Sequence, residues 1–186
     1  MSGSRLFSPV SLRTVADLLR DGVAAHPDRT LLVSEGVGGE ATSFTWREVV
    51  EHASGIARML AAAGAEPGDR IHLHLANRPE FLFAWFGAAL FGYSIVPTNV
   101  AATPEEISFI TSHGETRISV TEEAYLATVD AVHGDSGVPV LCCERDDLLD
   151  ATADDPRTPT AAAGVVAIIY TSGTTGRPKG IVYSHR

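Results

Sequence analysis

At 186 residues, 45% apolar and 20% charged, the chain has the size and balance of one or two small globular domains with a sizeable core. Its net charge of -9, with no cluster of Lys and Arg, argues against nucleic acid or an anionic membrane surface as the main partner, because phosphate backbones are met by clustered cations. The opening Met1-Ser-Gly-Ser-Arg-Leu-Phe-Ser-Pro9 has no apolar run of secretory length, and the most apolar stretch, residues 81–91, is about half of what a bilayer span needs. Adjacent Cys142 and Cys143 cannot make a disulfide framework. Within an apolar run they read as buried, inert thiols, and the expected compartment is a reducing cytoplasm.

Helical and strand signals alternate from near residue 45 onward. Thr45-Trp-Arg-Glu48 is a capping box, in which the Thr hydroxyl accepts from the amide three residues on and Glu48 reaches back. Trp46, Val49, Val50, Ala53, Ile56, Ala57, Leu60 and Ala63 then recur at three- and four-residue spacing, the stripe of an amphipathic helix. Gly64 stops it and Pro67-Gly68-Asp69 makes the turn. Arg70-Ile-His-Leu-His-Leu75 alternates with period two, as a strand does. A helix over Pro79–Phe91 follows, apolar nearly all round and therefore expected to be buried. Residues 93–96 read as a strand, and Thr103-Pro104-Glu105-Glu106 opens a helix with Pro at its first position. Residues 117–120, 122–132 and 138–143 continue as strand, helix and strand. This alternation predicts an α/β fold whose sheet is mostly parallel and carries helices on its faces.

Over residues 144–164 the character changes. Asp146, Asp147, Asp150, Asp154 and Asp155 are joined by Pro156, Pro159 and a short Ala run, with no apolar period. The segment reads as a solvated, acidic linker between an N-terminal α/β part (1–143) and a strand–loop–strand unit (165–186). The aspartates lack the spacing of a calcium loop, so no metal site is predicted from them. No internal repeat of solenoid period is present.

The unit that carries chemistry begins at Val165-Val-Ala-Ile-Ile-Tyr170, a β-branched strand. It runs into Thr171-Ser-Gly-Thr-Thr-Gly-Arg-Pro-Lys-Gly180, after which Ile181-Val-Tyr183 resumes a strand pattern. Glycine lets backbone N–H groups converge on an anion because no Cβ blocks the approach. Ser and Thr hydroxyls add donors that rotate to suit phosphate oxygens. One Lys places a compact positive charge against a polyphosphate. Composition alone leaves a plain flexible turn equally open. The loop is not of the Walker type, which needs Gly-Lys followed by Ser or Thr at a helix mouth, whereas Lys179 lies between Pro178 and Gly180.

The order of residues decides between these readings. Tyr170-Thr-Ser-Gly-Thr-Thr-Gly-Arg-Pro-Lys-Gly180 resembles the signature of the adenylate-forming superfamily, which comprises acyl-CoA synthetases, aryl-CoA ligases, firefly-type luciferases and the adenylation domains of nonribosomal peptide synthetases. The chain departs from that signature nowhere. Weaker resemblance extends over residues 42–50, Gly68-Asp69-Arg70, Asn77-Arg-Pro-Glu80 and Gly92-Tyr-Ser-Ile-Val-Pro-Thr-Asn99. Thr98 and Val100 replace the family's commoner Leu and Pro, and Ala161-Ala-Ala-Gly164 stands where many members carry an acidic residue before the loop strand.

The resemblance implies an AMP-forming acid–thiol ligase acting in two steps. A carboxylate attacks the α-phosphate of ATP with Mg2+, and coenzyme A then takes the acyl group from the acyl-adenylate, as in fatty acid metabolism. It also implies that Thr171, Ser172, Gly173, Thr174, Thr175 and Gly176 cradle the β- and γ-phosphates. Lys179 supplies charge, as the one candidate catalytic residue, or pins the loop shut. The adenine-binding segment, the acidic ribose ligand, the hinge and the C-terminal domain with the adenylation lysine come later in that family. The chain is therefore expected to be the N-terminal portion of the large domain, inactive and poorly soluble by itself. Two alternatives stand beside this one: a peptide-synthetase adenylation domain and a non-catalytic truncated remnant. Thr174-Thr175 and Ser184-His185 favour the CoA ligases. The acid activated, the thiol acceptor and the oligomeric state are not legible.

Other residues invite a functional reading. His72 and His74 share a strand face and could pair on a metal, but with no third ligand in sight packing is the better expectation. Phe81, Phe83, Trp85, Phe86 and Phe91 are expected in the core rather than in a ligand pocket. His185 is left open as a residue that lines the active site.

Overall fold

The computed structural model describes residues 14–36, 38–153, 164–171 and 178–185. In chain order these form α1 (Val15–Ala25), β1 (Thr30–Glu35), β2 (Ala41–Thr45), α2 (Trp46–Ala62), β3 (Arg70–His74), α3 (Pro79–Phe91), β4 (Ser94–Pro97), α4 (Pro104–His113), β5 (Thr116–Thr121), α5 (Glu123–His133), β6 (Val140–Cys142), β7 (Val165–Thr171) and β8 (Lys179–Ser184). β1 and β2 form an antiparallel hairpin. The other strands make one sheet in the order β6-β5-β3-β4-β7-β8, in which every neighbouring pair is parallel except β7 and β8. The α/β class with a mostly parallel sheet is the one that the alternating pattern predicts.

The helices start where local chemistry tells them to. Thr45 Oγ1 accepts from the Glu48 amide at 3.3 Å while Glu48 Oε2 accepts from the Thr45 amide at 2.7 Å, and Thr103 with Glu106 repeats the arrangement at α4. α3 has Pro79 in its first turn and ends on Gly92, whose φ of 80° is left-handed. Three elements up to residue 45, namely α1, β1 and β2, carry no clear sequence signal. α1 is capped by Thr14 and Asp17 and buries only Ala16 and Leu19, and no residue of β1 is fully buried.

The sheet has two unlike faces. Ile71, Leu73, Ile95, Ile118, Val120 and Ala167 pack with Ile56, Ala57, Leu60, Phe83, Ala84 and Ala88 of α2 and α3 in the main core. Phe83 is fully buried there as expected, whereas Phe81, Trp85, Phe86 and Phe91 are half-buried and pack against this core from its margin. Because side chains alternate along a strand, the intervening positions His72, His74, Val96, Ser119 and Ile168 belong to the opposite face, where Val96 and Ile168 meet Ile110 of α4.

The first part of the acidic segment is not a solvated connection. Leu148 is 0% exposed in the main core, and the Ala153 amide donates to the Glu51 carbonyl of α2 at 3.0 Å. Leu148 and Ala151 hold this stretch against the core, and two apolar residues spaced among acidic ones leave no helical or strand period in the sequence. Residues 154–163, with Asp154, Asp155, Pro156 and Pro159, lie outside the described residues.

α2 and α3 approach so closely that a Cβ at Gly87 would overlap the Ala53 carbonyl oxygen and lie 3.2 Å from the Ala57 Cβ. Both obstacles belong to a helix backbone or its first side-chain atom, so neither can rotate away. Gly87→Ala is expected to lower unfolding stability by about 1–3 kcal/mol in urea denaturation, although Ala is the better helix former. An unchanged midpoint would show that the two helices separate freely.

Candidate functional site

β3 and β4 are neighbours, but their connections leave for opposite faces: α3 packs in the main core and α4 on the other side. A parallel sheet opens a crevice at the carboxyl ends of strands whose connections diverge in this way. β7 joins beside β4, with Ile95 opposite Ala167 and Ser94 Oγ donating to the Val165 carbonyl at 2.6 Å. Its carboxyl end therefore comes out at the same edge as Pro97 and Thr98.

There β7 turns back into β8. Their register sets Thr171 opposite Lys179 and Tyr170 opposite Gly180, and both Thr171 and Lys179 are exposed. A strand, β8, and not a helix follows this segment, so no helix terminus points at it from that side. Ser172, Gly173, Thr174, Thr175 and Gly176 lie outside the described residues. Gly180 has a local reason for being glycine. A Cβ there would stand 3.0 Å from Ile168 Cγ2 and 3.1 Å from Cζ of Tyr170, so the phenol ring lies across the backbone of the facing strand.

Tyr170 also borders a concavity of about 350 Å3 with Pro97, Thr98, Asn99, Glu106, Ile110 and Pro178, directly beside the loop strands. Another depression, of about 390 Å3 between β1 and the start of α3, contains none of the residues next to the loop.

A sequence model of the AMP-binding enzyme family matches residues 19–186. The chain belongs to the AMP-binding enzyme family. Among curated relatives, a crotonobetaine/carnitine–CoA ligase of Salmonella paratyphi C is 31% identical over 184 residues, covering 89% of this chain and 35% of that protein. The ligase of the same name from Proteus mirabilis is 30% identical, with the same coverage. The chain thus spans about a third of the length of the curated relatives it matches. Among solved structures, a Mycobacterium tuberculosis fatty acyl CoA synthetase superimposes with a TM-score of 0.81 at 26% identity, over 92% of this chain and 34% of that one. McyG A-PCP, complexed with phenylalanyl-adenylate, has a TM-score of 0.79 at 18% identity over 93% of this chain and 28% of that one, a likeness of fold alone.

Within this AMP-binding chain, His72 and His74 are hydrogen-bonded parts of the interior. His72 Nδ1 meets Ser119 Oγ at 2.9 Å, and its Nε2 meets Thr98 Oγ1 at 2.9 Å. Thr98 Oγ1 also meets His74 Nδ1 at 2.7 Å, and Ser119 Oγ meets His133 Nε2 at 2.6 Å. Hydroxyls occupy the positions between the imidazoles, and both nitrogens of His72 are thereby used. Among the described residues no group of three or more His, Cys, Asp and Glu side chains is placed to hold a metal ion. Thr98, a departure from the commoner Leu, is thus a structural hydroxyl whose partners are 26 and 24 residues away.

Arg78 is the other feature that the sequence does not disclose. It donates to Glu80 at 2.6 Å, to Glu122 at 2.7 Å and to Glu144 at 2.5 Å, tying together the segments that follow β3, β5 and β6. Burial opposes charge on both Arg78 and Glu144. Their mutual hydrogen bond and those from Glu80 and Glu122 nevertheless push the guanidinium up, and Glu144 is held down at about 2. Only Arg78 and Glu80 adjoin in sequence, so the brace is invisible before folding.

His185 lies at the end of the hairpin away from Thr171 and Lys179. It follows Ser184, which pairs with Val165 at the far end of the hairpin, and its Nδ1 accepts from the Val15 amide at 3.3 Å. Cys142 and Cys143 are buried, and burial pushes both thiols up, away from the reactive thiolate. Among the described residues no helix is long and apolar enough to cross a membrane.

Burial, followed by the neighbouring His74 and His133, pushes His72 down to about 3 from an ordinary 6.5. Burial also lowers His74 and His133, against the opposing pull of Glu122 and Asp130 respectively. The unfolded chain therefore takes up protons below pH 6.5 before the folded chain does, and stability falls as pH drops from 6.5 toward 3. Urea midpoints measured across that window are expected to decline less steeply in His72→Gln than in the unaltered chain. Parallel profiles would show that His72 does not carry this pH dependence.

Proposed function

We propose that this chain supplies the pyrophosphate-holding part of an ATP-dependent, AMP-forming acid–CoA ligase. The observation that carries the reading is the β7–β8 hairpin. It presents Thr171 and Lys179 side by side at the sheet edge where β4 also ends, at the two ends of the family's signature loop. The names of the relatives support coenzyme A as the acceptor and a small-molecule carboxylate as the substrate. Fatty acid metabolism and a cytoplasmic setting are the context we assign, the second because the chain's two cysteines are buried free thiols.

A polyphosphate leaving group needs donors and positive charge converging on one point before the reaction begins, because preorganised groups do not have to reorient as charge develops. In our reading Lys179 stands against the β- and γ-phosphates, and Thr171, Ser172, Gly173, Thr174, Thr175 and Gly176 form the cradle around them. Mg2+ brought in by the ATP phosphates would add positive charge beside Lys179, with no protein ligand of its own required. The carboxylate attacks the α-phosphate and pyrophosphate departs toward Lys179; in a second step the coenzyme A thiol attacks the acyl carbonyl, forming the thioester and releasing AMP. That second step involves no charge on the β- or γ-phosphate, so the loop acts on the first alone.

In the full-length protein, Lys179→Ala is expected to slow acid-dependent ATP–pyrophosphate exchange by about a hundredfold. Thioester formation from preformed acyl-adenylate should stay unchanged. An equal loss in both half-reactions would rule out the pyrophosphate-holding role.

A further inference from the structure

The geometry points to His113 as a positioning residue for the phosphate loop, acting through Tyr170. The inference rests on the reading of residues 171–180 as a phosphate loop and adds to it a contact from outside the signature. Tyr170 is the last residue before Thr171, and its hydroxyl meets His113 Nδ1 at 2.6 Å. Its ring stands edge-on to Phe109 and to His113, with centroids 6.4 and 5.8 Å away at 86° and 87°. Phe109 in turn stacks on His113 at 5.4 Å. The phenol is thus gripped by two rings of α4 and one hydrogen bond.

The other side of the same ring lies across Gly180, the residue that pairs with Tyr170 on β8. One side chain therefore touches both strands of the loop hairpin and fastens them to the last turn of α4. That turn is itself held. Arg70 at the start of β3 donates to the Gly114 carbonyl at 3.0 Å and to Glu115 at 2.9 Å. The line Arg70, Gly114, His113, Tyr170 connects a central strand of the sheet to the base of the loop.

β7 pairs with β4 at Ile95 and Ala167, and beyond that point Tyr170 and Thr171 pair with Gly180 and Lys179 of β8, which is exposed along its whole length. A reacting polyphosphate must be met with sub-ångström accuracy, since small misplacements cost large factors in rate. Thr171 and Lys179 flank the Tyr170–Gly180 pair, so a tilt of that pair displaces both.

The test compares His113→Ala, His113→Asn and Tyr170→Phe in the full-length protein. Loss of one hydrogen bond of this kind is expected to raise the KM for ATP in acid-dependent pyrophosphate exchange roughly five- to tenfold. Thioester formation from preformed acyl-adenylate should not change, and Tyr170→Phe should match His113→Ala. His113→Asn, whose amide can still meet the phenol, should recover most of the loss. Amide hydrogen exchange over residues 165–183 without substrate should quicken in His113→Ala and Tyr170→Phe. Unchanged KM and unchanged hydrogen exchange overturn the inference while leaving the ligase reading intact, and so does an equal loss in both half-reactions. If the unaltered protein shows no acid-dependent exchange, the ligase reading falls, and hydrogen exchange alone then decides whether His113 holds the hairpin.

Discussion

Parallel pairing of β7 with β4, at Ile95 and Ala167, brings a strand that is remote in sequence to the carboxyl edge of the sheet. Strands β3 and β4 end at that edge, and their connections part there to α3 on one face and α4 on the other. Everything about the site depends on this arrangement. Had β7 entered antiparallel to β4, Thr171 and Lys179 would emerge at the amino edge, away from the crevice that diverging connections leave. The antiparallel return of β8 then sets the two ends of the loop side by side, which a helix following the loop would not do.

The two faces of the sheet divide the work. The α2/α3 face is mostly apolar, from Ile56 and Leu60 to Phe83 and Ala88, with the His52 ring stacked on Phe83, and Leu148 from the acidic segment folds back into it. The α4/α5 face carries a chain of hydroxyls and neutral imidazoles from His133 through Ser119, His72 and Thr98 to His74. Buried polar groups are tolerable only when each finds a partner, and then they fix geometry more narrowly than apolar packing does. Thr98 belongs to this chain and also borders the concavity beside Tyr170, so the polar layer reaches the loop's surroundings.

Local signals were the legible ones. Thr45 with Glu48, Thr103 with Glu106, and the apolar stripe of α2 mark elements whose determinants lie within a few residues of one another. The family was legible because the order of residues 170–180 is specific, and the chain's membership of the AMP-binding enzyme family rests on residues 19–186. What sequence did not disclose depends on distant pairing. His72 reaches Ser119 across 47 residues, Arg78 reaches Glu144 across 66, and His113 reaches Tyr170 across 57. The hairpin β1–β2 and helix α1 escaped notice for another reason: Val33 and Leu18 face solvent, which blurs the periodicity that marks half-buried elements. His185 stood near the loop in sequence and lies at the opposite end of the hairpin in space.

If the loop between β7 and β8 holds the β- and γ-phosphates, as we propose, ATP is cleaved between its α- and β-phosphates. Phosphorus NMR of ATP turnover by the full-length protein, with a carboxylic acid and coenzyme A supplied, reads that bond directly. AMP and pyrophosphate are expected, formed only when the acid is present. Formation of ADP and inorganic phosphate would overturn the proposed role of the loop.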